Sequence, residues 1–288
     1  MMRGYSTLCV VAMMPALAGA QVPRAIATDP PHDARHPARM EVLHIPSGGV
    51  KINGVAYLAA GAGVHPTFVL LHGLPGNEKN LDLAQAVRRD GWNAITFNFR
   101  GSWGSPGVFR FSQTLDDASA VLAFLRNPLN AKSLGIDTTR IVLAGHSMGG
   151  WVTVLTASHD HRLAGAVLIS AADMGALGSR TPAAVTKGMA NNMESLAGVT
   201  PQSMANEIIA NGARWAFTTA YAGLASTPLL VITSNDGFAP SNDSLVAALH
   251  RRGNRRVASV HFPTDHSYSD QRIALESAVL RWLEGLPK

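Results

Sequence analysis

Gly145-His146-Ser147-Met148-Gly149-Gly150 sets one serine between glycines, directly after the apolar run Arg140 to Ala144 and before a stretch, Trp151 to Ala157, that reads as helix. A serine hydroxyl is a weak nucleophile, so chemistry on a carbonyl needs it exposed on a sharp turn with a base in reach. Glycines on both sides let strand and helix close on that turn without a Cβ clash, and the pattern is a G-x-S-x-G nucleophile elbow in its required setting. Acyl transfer also needs N–H donors for the developing oxyanion. His72-Gly73-Leu74-Pro75-Gly76 ends the apolar run Thr67 to Leu71, which makes the Leu74 and Met148 backbone N–H groups the candidate pair. His72 comes before the serine and reads as an organiser of its loop.

A base and an acid that orients it should follow Ser147 in the order acid, then histidine. Asp236, in Ser234-Asn235-Asp236-Gly237, follows the apolar run Leu229 to Thr233, and a loop at a strand's carboxyl end is where an acid reaches such a site. Asp173 and Asp243 are the other acids in range, and the order of preference is Asp236, Asp173, Asp243. His266, in Thr264-Asp265-His266-Ser267, occupies the same kind of position after Val257 to Phe262. His261 falls inside that run, His250 falls in a helix, and His159 and His161 belong to a surface loop with no further ligand set at metal spacing.

The elements that must position these residues alternate. Glu41 to Ile45 and Lys51 to Leu58, joined by Ser47-Gly48-Gly49, predict a β-hairpin. Thr67 to His72, Ala94 to Phe99, Arg140 to Ala144, Ala166 to Ser170, Leu229 to Thr233 and Val257 to Phe262 are short apolar runs without alternation, the pattern of strands buried on both faces. Between them Leu81 to Arg89, Leu115 to Arg126, Trp151 to Ala157, Ser244 to Arg251 and Gln271 to Leu283 read as helices. The result is an α/β chain with a mostly parallel sheet. Residues 173–225 exceed what one crossover helix requires, and Thr181-Pro182 and Thr200-Pro201 are helix starts, so this stretch reads as a helical cap insertion. Met174 and Met189 in it, with Trp103 before it, are the candidate substrate-binding side chains, although the same methionines would serve to pack the cap.

The chain's 288 residues are 47% hydrophobic and 15% charged, which excludes disorder and supports a large core. The net charge of +5 is scattered apart from Arg251, Arg252, Arg255 and Arg256 around Gly253 and Asn254, a loop pattern and no nucleic-acid stripe. Residues 1–20 carry Arg3, an apolar core from Leu8 to Leu17 and Ala18-Gly19-Ala20, the features of an export signal cleaved after Ala20. No segment is long enough for a membrane span. The only cysteine, Cys9, lies in that signal, so thiol nucleophiles and thiolate metal sites are excluded from the exported chain. Residues 21–39 read as an exposed linker, and the domain as 40–288.

HGLPG, GHSMGG, Asp236 and His266 over residues 40–288 together resemble the α/β-hydrolase superfamily. The resemblance implies an eight-stranded, mostly parallel sheet flanked by helices and a Ser147, Asp236, His266 triad. Arg100-Gly101-Ser102-Trp103-Gly104 is similar to a loop of prolyl-oligopeptidase-like peptidases and their small esterase relatives. The absence of a β-propeller in this sequence favours the esterase side, with Arg100 either shaping the loop or meeting an anionic group. The expected activity is ester hydrolysis on a small-molecule substrate, with no cofactor and no metal, and the oligomeric state is left open. The alternatives are an aminoacyl or dipeptidyl peptidase, a cofactor-free haloperoxidase or perhydrolase, and an inactive binding protein of the same fold. Ser147 argues against the dehalogenases and epoxide hydrolases, which place aspartate at the elbow.

Overall fold

Gly48 and Gly49 turn the chain back on itself with φ of 54° and 85°, the double left-handed conformation of a two-residue hairpin turn. They join β1 (Arg39–Ser47) to β2 (Val50–Leu58), which pair antiparallel from Arg39 opposite Leu58 to Ser47 opposite Val50. The structure is a computed structural model that describes residues 21–287; the expected export signal lies outside the described residues. After a short helix α1 (Arg24–Ala27) and the hairpin come β3 (His65–Leu71), α2 (Leu81–Arg89), β4 (Asn93–Phe97), α3 (Phe111–Arg126), α4 (Pro128–Leu134), β5 (Ile136–His146), α5 (Met148–Ala157) and β6 (Gly165–Ile169). The span between β6 and β7 holds α6 (Met174–Gly178), α7 (Pro182–Ala190), α8 (Pro201–Trp215) and a 3-10 turn, Phe217–Ala220. The chain continues through β7 (Leu229–Thr233), α9 (Ala239–Arg251), β8 (Val257–His261) and α10 (Arg272–Glu284).

The eight strands form one sheet in the order β1-β2-β4-β3-β5-β6-β7-β8. The β1–β2 and β2–β4 pairs are antiparallel and every other pair is parallel. Both faces of the central parallel strands are covered, which explains their unbroken apolar runs, whereas β8, at the sheet edge, is only partly buried although its run reads as a strand buried on both faces. Val69, Leu71, Leu143, Leu168 and Val231 join one core with side chains of α3, α5 and α8. Phe68, Leu70, Val142, Ile169 and Ile232 join the other with α2 and α10. Because β3, β5, β7 and β8 run in one direction, the loops carrying His72, Ser147, Asp236 and His266 leave the same edge of the sheet.

Three departures from the sequence expectations have physical causes. Helix α3 begins at Phe111, four residues before the expected Leu115, because the Glu207 carboxylate of α8 accepts hydrogen bonds from the Phe111 and Ser112 N–H groups at 3.0 and 2.9 Å. Its first turn is capped from outside. Helix α4 was not expected, although Asn127 caps it, Pro128 opens it and Gly135 at φ 60° closes it, all local signals. The stretch 21–39 is not wholly an exposed linker: α1 lies within it, Ala25 is buried, and Arg89 donates to the Ala25 and Ile26 carbonyls.

Arg100 shapes its loop. Its guanidinium Nε donates to the fully buried Asp117 at 2.6 Å and its backbone N–H donates to the same carboxylate at 2.8 Å. Ser47 Oγ, at the end of β1, donates to Asp117 at 2.5 Å. The buried acid thus ties the hairpin and the loop after β4 to α3. Removing one partner of such a pair leaves a buried uncompensated charge, which typically costs about 3–5 kcal/mol. Asp117→Ala should therefore lower urea stability by that amount, and a loss below about 1 kcal/mol would show that the network does not hold the loop.

Candidate active site

Ser147 sits where β5 ends and α5 begins, with φ 56° and ψ −117°. Residues other than glycine adopt this backbone region only when their surroundings over-determine it. Here the Ser147 N–H donates to the Ile169 carbonyl at 2.9 Å, and the Ser147 carbonyl accepts from Gly150 and Ala172, each at 3.0 Å. The glycines are required by space. A Cβ on Gly145 would lie 2.1 Å from the Gly149 oxygen, one on Gly149 would lie 2.5 Å from the Leu71 oxygen, and one on Gly150 would lie 2.5 Å from the Ala171 Cβ.

The loop after β3 closes on the same point, since a Cβ on Gly73 would lie 2.9 Å from the Ser147 Cβ. His72 is buried, donates from Nδ1 to the Gly73 carbonyl at 2.7 Å, and is held down to a pKa of about 4 by burial. It is a neutral brace. Among the described residues, neither the Leu74 nor the Met148 N–H donates to a protein acceptor. Met148 also opens α5, whose N-terminal end carries the positive pole of the helix dipole.

Asp236 and His266 meet directly, with the His266 Nδ1 and the Asp236 Oδ2 2.7 Å apart. The acid side chain is 4% exposed and the imidazole 37%. Burial opposes ionisation of Asp236, but the hydrogen bonds from His266, the Phe238 N–H and Ser170 prevail and hold its carboxyl well below the usual carboxylate range. Of the three acids weighed from the sequence, Asp236 alone reaches His266. Asp173 instead caps α6 by accepting from the Gly175 and Ala176 N–H groups, and Asp243 is exposed on α9.

Several residues that sequence reasoning did not single out support this pair. The His146 Nε2 donates to the His266 carbonyl at 2.9 Å, and the two rings lie 4.5 Å apart. Burial, then the proximity of His266, pushes the His146 imidazole down to about 3, so no positive charge stands beneath His266. Phe238 meets the His266 ring edge-on at 5.4 Å. Ser170 Oγ lies 2.9 Å from both the Ser234 Oγ and the Tyr268 hydroxyl, a buried polar cluster behind the acid. Only His146, next to the serine, had a positional signal in the sequence.

Trp103 is half-buried at φ 46°, and its indole N–H donates to the Pro75 carbonyl at 2.8 Å, against the loop after β3. Met174 and Met189, expected to line a pocket, are instead 2% and 7% exposed and belong to the core cluster that also contains Met148 and Met204. They pack the insertion.

Residues 68–278 match the sequence model of the alpha/beta hydrolase family. The chain is 31% identical over 128 residues to the quorum-quenching protein AidA of Acinetobacter baumannii, covering 42% of this chain and 40% of that protein. It is 32% identical over 122 residues to a putative non-heme haloperoxidase of Mycobacterium phage D29, covering 41% and 39%. The matched region therefore spans about two fifths of each relative's length. Among solved structures, a hyperthermophilic esterase from Pyrobaculum calidifontis superposes with a TM-score of 0.64 over 87% of both chains at 21% identity, a likeness of fold.

The buried histidines give the site a pH signature. The unfolded chain protonates His146 near its ordinary value of 6.5 while the folded chain resists until about 3. Its contribution to stability is thus complete above pH 6.5 and is lost as pH falls. Glu276 and Asp90, pushed up by burial to about 7 and 6, act with the opposite sign in the same window. The His146 effect is therefore read as a difference. The stability gap between the wild type and His146→Gln should shift by about 2 kcal/mol in the variant's favour from pH 7 to pH 5. A gap independent of pH would mean that His146 is not held neutral.

Proposed function

The chain belongs to the α/β-hydrolase family, and on that premise we propose that it is an exported serine hydrolase that cleaves carboxylic esters through an acyl-enzyme. The observation that carries this reading is the 2.7 Å contact between Asp236 and His266, whose ring lies 4.5 Å from that of His146, the residue before a serine on a strained turn. His266 takes the Ser147 proton at Nε2 as Oγ attacks the ester carbonyl, and Asp236 fixes the ring with Nδ1 protonated and steadies the imidazolium. The free Leu74 and Met148 N–H groups receive the developing oxyanion. Collapse breaks the bond to the alcohol, which leaves with the proton from His266. Water, deprotonated by the same imidazole, then attacks the acyl group and releases the acid and Ser147. Trp103, beside the oxyanion loop, is positioned to contact the substrate.

Esters are preferred over amides in this account because an amine leaving group must be protonated as the bond breaks, a demand an alkoxide relaxes. Ser147→Ala should reduce nitrophenyl-ester turnover by on the order of a millionfold with the fold retained. Asp236→Asn should cost on the order of ten-thousandfold by misorienting the histidine. Asp173→Asn and Asp243→Asn should leave turnover within about tenfold, since neither acid reaches His266. Ester turnover by Ser147→Ala near the wild-type rate sinks the proposal. Wild-type cleavage of aminoacyl nitroanilides faster than esters moves the protein to the peptidase reading, and halide-dependent peroxide chemistry without ester turnover moves it to the haloperoxidase reading.

A further inference from the structure

A cavity of about 860 Å³ lies away from Ser147, between α3 and the far end of α5. Thr156, which lines it, follows Met148 by eight positions in α5, which places it about 12 Å along the helix from the start of the elbow helix. Leu115, Leu122, Leu155 and Trp215 supply an apolar wall. Arg126, Arg162 and Arg214 also line the cavity, against one acid, Asp160.

Arg126 is the unusual member. Its side chain is 8% exposed, and its Nη1 is engaged by Asp160. Its Nε and Nη2, both buried, have no hydrogen-bond partner, nor does the buried Thr156 hydroxyl. An arginine this enclosed ordinarily fills its donors, because an unpaired buried donor costs free energy that a paired one does not. Nε and Nη2 form the edge of the guanidinium that grips a carboxylate with two parallel bonds. Arg272 uses that edge on Asp82, with Nε and Nη2 at 2.7 and 2.5 Å from the two oxygens. In Arg126 the same edge is open. Arg126 and Thr156 both line the cavity, and the exposed His159, His161 and Arg162 form its rim, with the Arg162 Nε 3.9 Å from Asp160.

We propose that this cavity is a second ligand site, distinct from the Ser147 centre, that binds an amphiphilic monocarboxylate. The carboxylate bridges the open edge of Arg126 and the Thr156 hydroxyl, and the hydrocarbon tail lies along Leu122, Leu155 and Trp215. The inference stands on the cavity alone and does not depend on the chemistry at Ser147.

The test is calorimetric titration of the mature wild-type protein with decanoate, with butyrate, decyl alcohol and inorganic phosphate as comparison ligands. Decanoate should bind; butyrate should bind at least about tenfold more weakly for want of a tail, and the alcohol and phosphate should bind at least as poorly for want of a carboxylate or of apolar contact. Arg126→Lys keeps a cation beside Asp160 but removes the two-bond edge, and Thr156→Val removes only an unpartnered hydroxyl in an isosteric side chain. Each should weaken decanoate by about tenfold or more, the usual worth of a hydrogen bond to a charged group. If Arg126→Lys does not fold, Thr156→Val, which disturbs no existing contact, decides alone. No decanoate binding by the wild type, unchanged affinity in the folded variants, or phosphate binding tighter than decanoate would overturn the proposal. A decanoate site that survives both substitutions would place the ligand elsewhere, the Ser147 centre included, and would equally overturn it.

Discussion

The approach of three backbones at one point governs the rest of the molecule. The end of β3, the turn at Ser147 and the first turn of α5 come so close that a single added methyl group at Gly145 or Gly149 would penetrate a neighbouring carbonyl. Ser147 can hold its left-handed conformation, at a cost of about 1–3 kcal/mol, only because its N–H and carbonyl are fixed by β6 and the loop that follows it. The sheet order follows from the same requirement. β5 must lie between β3 and β6 so that one neighbour brings the loop of Gly73 and Leu74 and the other anchors the turn.

The electrostatics around the histidine have a consistent logic. Asp236 is almost fully enclosed yet remains a carboxylate, because the His266 ring, the Phe238 N–H and Ser170 satisfy it where water does not. Tyr268, pushed up to about 12 by burial, stays a neutral hydrogen-bonding hydroxyl behind it. His146, directly under His266, is kept neutral by its burial and so adds a hydrogen bond to the base's backbone without a competing charge. One anion, one titratable ring and neutral supports are what a base needs if its own imidazolium is to be the charge that forms.

Local chemistry was legible in the sequence and long-range chemistry was not. The glycine pair after Ser47, the apolar runs of β3, β6 and β7 and the proline starts of α7 and α8 each carry their cause within a few residues. Ser147 had its motif, and Asp236 and His266 had their positions after strands. The cap on α3 comes from Glu207, 96 residues beyond Phe111, and His146 meets a carbonyl 120 residues away. No periodicity reports such contacts. Met174 and Met189 lie in the core cluster, and their sequence pattern leaves packing and pocket-lining undivided for a different reason. A methionine that fills a core and one that lines a pocket have the same local pattern, and only the packing of α6 and α7 separates them. The open edge of Arg126 was likewise invisible, since its partner Asp160 lies on the loop after α5 and its emptiness exists only in three dimensions.

The central claim is that the fold activates one hydroxyl, that of Ser147, through the His266 and Asp236 pair. Covalent labelling with a fluorophosphonate, read by intact mass and peptide mapping, tests it most directly. The account requires one adduct per chain, on Ser147, formed far more slowly when Asp236→Asn leaves the His266 ring without its orienting carboxylate. An adduct on any other residue, or none at an excess of reagent with the protein folded, would contradict it.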